Sequence, residues 1–92
     1  MPLSRGQFLR LIEESPLFKQ LRPEELRLIV ILIGCADNLS GENMVDTGFL
    51  RHLTKTDEES IMKHLSSLDE MGLLRFNSDA GWITYRLIPP KT

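Results

Sequence analysis

The side chains suited to covalent or metal chemistry are few in this sequence and stand apart from one another. Cys35, His52 and His64 are its only thiol and imidazole donors. They cannot complete the tetrahedral set of a closed structural zinc site. Cys35 ends an apolar stretch with no cation beside it to favour a thiolate, so it is expected to be a small buried hydrophobe. His52 and His64 could form a distant ligand pair. By position, His64 is expected beside an apolar helical stripe and His52 on the surface. No serine sits in a nucleophile motif, and no glycine-rich loop could cradle a phosphate. The carboxylates of DNLSGENMVD, residues 37–46, lack the alternating spacing of a calcium loop. Asn38-Leu39-Ser40 matches a glycosylation sequon, a short match that arises by chance. Catalytic residues, metal ligands and cofactors are therefore all expected to be absent, and the chain is not expected to be an enzyme.

The remaining candidates act by charge and hydrogen bonding, so the distribution of charge matters. The 92 residues carry 11 bases and 13 acids, a net charge of -2. Residues 1–36 have five bases and four acids, residues 37–72 three and eight, and residues 73–92 three and one. The middle is acidic and the tail mildly basic, which is not the footprint of a strongly electrostatic nucleic-acid binder. The length fits one domain with a thin margin of buried surface. The apolar run Leu28 to Ile33 is too short to span a bilayer, and no basic-then-apolar signal segment is present. A lone cysteine fits a reducing compartment. The expectation is a cytoplasmic chain with no membrane contact.

Local signals lay out the elements. Ser4 and Gln7 make a capping box before Phe8, Leu11 and Ile12, which predicts a helix over 5–14. Pro16 ends it, and Leu17, Phe18 and Leu21 form an apolar connector. Pro23, Glu24 and Glu25 suit the start of a second helix. Its inner face is expected at Leu26, Ile29, Val30 and Ile33, although Leu28, Ile31 and Leu32 make it apolar on nearly all sides. Residues 37–46 read as a loop in which Met44 and Val45 could form a one-bridge strand. Asp46 or Thr47 can cap a third helix with Phe49, Leu50 and Leu53 inside. Thr54–Lys55 is a turn, and Thr56 with Glu59 forms a second capping box. The fourth helix then runs to Met71 with Ile61, Leu65, Leu68 and Met71 inward, and Gly72 terminates it. Leu73, Leu74 and Phe76 lead through a five-residue turn, 77–81, into a strand over 82–88. In that strand Ile83, Tyr85 and Leu87 face one way and Trp82, Thr84 and Arg86 the other.

This order predicts a mainly α chain with a small β-hairpin, in the α+β class. The stretch LRHLTKTDEESIMKHLSSLDEMGLLRF resembles the winged helix-turn-helix superfamily: a short helix, a turn, a recognition-type helix ending in Leu68, Gly72 and Leu73, and a wing strand. The resemblance covers about residues 23–88. It implies a winged-helix domain over 23–92, preceded by a helix and connector over 1–22. SPLFKQLRPEELRLI is also similar to the opening of cyclic-nucleotide-binding domains, but no glycine-rich barrel sequence follows it.

The resemblance implies a dimeric, double-stranded-DNA-binding transcriptional regulator, with the 56–71 helix in the major groove and the 75–86 hairpin as wing. The helical period turns Thr56, Glu59, Ser60, Lys63, Ser66, Ser67 and Glu70 outward. Thr56, Ser60 and Ser67 could then bond phosphate or bases, Lys63 could pair with phosphate or guanine, and Glu59 could accept from cytosine. Arg51 and Lys55 would join from the preceding helix and turn, and Arg75 and Arg86 from the wing. Phe8, Leu9, Leu11 and Ile12 are the expected dimer element. The alternative is a winged-helix module that binds a protein partner and never contacts DNA. The acidic helix start Asp57-Glu58-Glu59 and Trp82, an expected interface anchor, both favour it.

Overall fold

The computed structural model describes residues 3–90. The elements run α1 (Arg5–Glu14), α2 (Pro23–Cys35), β1 (Glu42–Asp46), α3 (Thr47–Thr54), α4 (Glu58–Glu70), β2 (Leu74–Asp79) and β3 (Trp82–Leu87). The three strands form one antiparallel sheet in the order β1-β3-β2, with the helices packed on its inner face. The class is α+β, as expected.

The local start signals act where the sequence places them. The Gln7 N–H donates to Ser4 Oγ at 3.1 Å, and the Ser4 N–H donates back to Gln7 Oε1 at 2.8 Å. Pro16 ends α1, and the connector winds into a short 3₁₀ turn, Pro16–Gln20. At the head of α2 the Arg22 N–H donates to Glu25 Oε1 at 2.9 Å. The inner face of α2 differs from expectation. Leu28, Ile29, Leu32 and Ile33 are buried, whereas Leu26 is half-buried and Val30 exposed. A helix apolar on nearly every side does not fix its own rotation, and packing against α4 sets it here.

Side chains from distant elements complete the buried end of α2, whose last carbonyls have no partner within the helix. Tyr85 donates its hydroxyl to the Leu32 carbonyl at 2.7 Å. Arg5 Nε donates to the Ile33 carbonyl at 3.1 Å, and Arg5 Nη2 reaches the Ala36 carbonyl.

Strand β1 is longer than one bridge. It pairs with β3 from Glu42↔Arg86 to Asp46↔Trp82, a partner too distant in the chain for local patterning to show. The loop before it is held by the buried Asn43. Its Nδ2 donates to the Asn38 and Gly41 carbonyls, and its Oδ1 accepts from the Asn38 N–H.

Asp46 caps α3, accepting from the Gly48 N–H at 3.2 Å. Of the three expected inward residues only Leu50 is buried, and Phe49 and Leu53 are exposed. So short a helix gives only about one turn to the core. The cap of α4 is Asp57, which accepts from the Ser60 N–H at 2.9 Å, and not Thr56, whose hydroxyl donates to the Thr54 carbonyl at 2.9 Å. Lys55 absorbs the turn at φ 53°. Ile61, Leu65 and Leu68 are buried as expected, Met71 is half-buried, and Gly72 takes the left-handed conformation at φ 80°.

Strand β2 continues to Asp79, which pairs with Trp82, so the hairpin turn is Ala80-Gly81 and not a five-residue loop. Both turn residues have positive φ, 50° and 85°, the requirement of a type I′ turn. Along β3 the side chains alternate as expected, with Ile83, Tyr85 and Leu87 buried. Phe8 and Ile12 of α1 belong to the same buried cluster as these strand residues and the inner faces of α2 and α4. No helix among the described residues is long and apolar enough to cross a membrane.

Candidate nucleic-acid interface

The turn between α3 and α4 brings charge together. Arg51, His52 and Lys55 are exposed there, and with Gly48, Thr56 and Asp57 they line an open groove of about 460 Å³. Asp57 is part of this site. The Ser60 hydroxyl and N–H, with the Arg51 charge beyond them, hold its carboxyl below the usual carboxylate range. The groove therefore combines cations with one fixed anion.

The open face of α4 is the stripe Glu59, Lys63, Ser66 and Glu70, all exposed. Glu59 and Lys63 are one helical turn apart, close enough for the carboxylate to offset part of the lysine charge. Thr56, Ser60 and Ser67, expected outward, are half-buried. Ser67 turns toward α2, where its hydroxyl faces the Glu25 carboxylate. Burial pushes the Glu25 carboxyl up, but the Arg22 N–H, the Ser67 hydroxyl and the charges of Arg22 and His64 together hold it below its ordinary value. That contact makes Ser67 part of the α2–α4 packing, and the sequence offers no local signal for it.

The two arginines of the hairpin do not reach its tip. Arg75 and Arg86 are cross-strand partners at the end of the hairpin away from the turn. Strand rise puts Arg86 about 13 Å from Trp82. Arg75 is also engaged, with Nη1 2.9 Å from both Asp69 Oδ1 and the Asp69 carbonyl. The tip itself carries Asp79 and no cation. Arg75 and Arg86 are therefore not placed as wing-tip contacts.

The expected dimer element is likewise mostly consumed. Phe8 and Ile12 are 0% and 1% exposed, so neither has surface to give a second copy, and Leu11 is half-buried. Trp82, in contrast, is 49% exposed, and Met44 is 64% exposed. The register makes them diagonal neighbours on the outer face of the sheet, because Met44 pairs with Thr84 and Asp46 with Trp82. Alternation in ENMVD could have signalled Met44, once those residues were recognised as a strand.

His52 is exposed and His64 half-buried, in line with their expected positions, and Cys35 is half-buried rather than buried. No group of three or more His, Cys, Asp or Glu side chains among the described residues could hold a metal ion. Comparison with protein-family models, with curated proteins and with solved structures gave no match.

Proposed function

We propose that this chain is a winged-helix module that binds double-stranded DNA weakly, through the α3–α4 corner and the open stripe of α4. The element order and the β1-β3-β2 sheet support a winged helix, with β2 and β3 as a short wing. The observation that carries the DNA contact is the convergence of Arg51, His52 and Lys55 on one open groove at the head of α4. Cations at that corner suit phosphate, which fixes position on the duplex, while Lys63, Ser66 and Glu59 face the groove edges. Asp57, Glu58 and Glu59 repel phosphate and keep the affinity low.

Arg51, Lys55 and Lys63 together neutralise about three phosphates. Affinity then falls by about 40-fold between roughly 50 and 200 mM salt. Fluorescence anisotropy with a random-sequence duplex tests this. No binding at the lower salt, or binding indifferent to salt, overturns it.

The second reading is a winged-helix module for a protein partner without DNA contact, favoured by the exposed Trp82 and Met44. In that case Trp82→Ala abolishes partner capture while duplex binding is absent from the start.

A further inference from the structure

We propose that the outer face of the sheet is a self-association surface, covered by a second copy of this chain about a two-fold axis that crosses the strands at Thr84. The register sets three rows on this face: Glu42–Arg86–Arg75, Met44–Thr84–Asn77 and Asp46–Trp82–Asp79. All nine side chains are exposed except Thr84, which is half-buried. No helix covers them, because α1 to α4 pack on the other face.

The charges on these rows are not symmetric. The first row holds two arginines and one glutamate, the middle row no charge, and the third two aspartates and no cation. A face-to-face pair can place its two-fold axis along the strands or across them. The first choice stacks the third row on its own copy, aspartate over aspartate. The second lays the first row on the third row of the other copy, so the charges favour it.

With the axis across the strands, Arg75 lies over Asp79 of the second copy. Arg86 lies over the exposed indole of Trp82 there, a cation–π arrangement. Met44 meets its own copy along the axis row, and Trp82 loses its water beneath that arginine. Glu42 faces Asp46, a like-charge meeting that the two-fold makes twice, but each Asp46 already accepts from its own Gly48 N–H. Arg75 keeps its bond to Asp69, which uses Nη1 alone. The face measures roughly 14 by 17 Å, smaller than a standard interface, so the dimer is weak and dissociates in the micromolar range or above. The α3–α4 corner stays free in this arrangement. Association is measured without DNA, so its failure and that of DNA binding are separate results.

Sedimentation equilibrium from roughly 10 µM to 1 mM decides the matter. The expected result is a monomer–dimer equilibrium that weakens with salt. Thr84→Arg and Trp82→Glu should each raise the dissociation constant by about tenfold or more, with unchanged far-UV circular dichroism. Phe49→Glu, an exposed apolar site on α3, should leave it as it was. A chain that stays monomeric throughout overturns the proposal. So does a dimer that Thr84→Arg does not weaken, or assembly that continues past the dimer. If Trp82→Glu fails to fold, Thr84→Arg still decides, since Thr84 lies on the outer face.

Discussion

Tyr85 and Leu32, 53 residues apart in sequence, are joined by a 2.7 Å hydrogen bond from the phenol to the backbone carbonyl, inside the core. The bond serves an otherwise orphaned carbonyl at the end of α2, so its loss leaves a buried acceptor unpaired. Tyr85→Phe keeps the ring and removes only the donor. It should cost about 1–3 kcal/mol. Urea denaturation checks this: the midpoint should fall while the m-value stays the same.

The same phenol makes stability depend on pH. Burial pushes the Tyr85 hydroxyl up from 10.0 to about 12. Below pH 10 the proton is held in both states and the contribution is whole. As pH rises from 10 toward 12 the unfolded phenol ionises first, and stability is lost through that window. Tyr85→Phe should flatten this alkaline limb. Tyr85 is the only tyrosine, so tyrosinate absorbance follows it directly. Glu25 acts in the opposite direction. Its lowered value contributes stability above about pH 4.5 that disappears on acidification, and Glu25→Gln should remove that part of the acid limb.

Ala80 holds φ 50° in the hairpin turn, where an L-residue with a methyl group is strained. Asparagine tolerates this conformation and forms, with Gly81, the preferred type I′ pair. Ala80→Asn should stabilise the fold by about 0.5–1 kcal/mol. Thermal unfolding should show a rise of about 2–8 °C in Tm.

Duplex binding should sort the basic residues by position. Lys55→Ala and Lys63→Ala should each weaken binding and lower the salt slope by about one. Arg75→Ala should leave both nearly unchanged, because Arg75 is tied to Asp69 in the last turn of α4, the end of that helix away from the α3–α4 corner. Anisotropy at two salt concentrations separates these cases. Equal losses for all three variants would move the contact surface away from that corner.

The elements legible in the sequence are those decided within a few residues. The Ser4–Gln7 box, Pro23 and Gly72 each fix a boundary through local backbone chemistry, and all three act where expected. The rotation of α2 was not legible, because Leu26 and Val30 are as apolar as Leu28 and Leu32 and only the facing helix chooses between them. Strand β1 is legible only at Met44 and Val45, because its pairing lies with β3. The site was legible in part. Lys55, Arg51 and Lys63 stand on open surface, whereas Ser67 is drawn to Glu25 and Arg75 to Asp69 by partners that local spacing does not show. The hidden role of Arg5 is of the same kind: its guanidinium looks like surface charge until α2 is laid beside it.

The end of α2 is finished by the first turn of α1 and by the last strand. During synthesis Arg5 is already made when the helix emerges, but the Leu32 carbonyl would be met by water alone until Tyr85 had been made. Growing chains that stop short of β3 should stay open and protease-sensitive. The fold should close late and as a whole, rather than helix by helix.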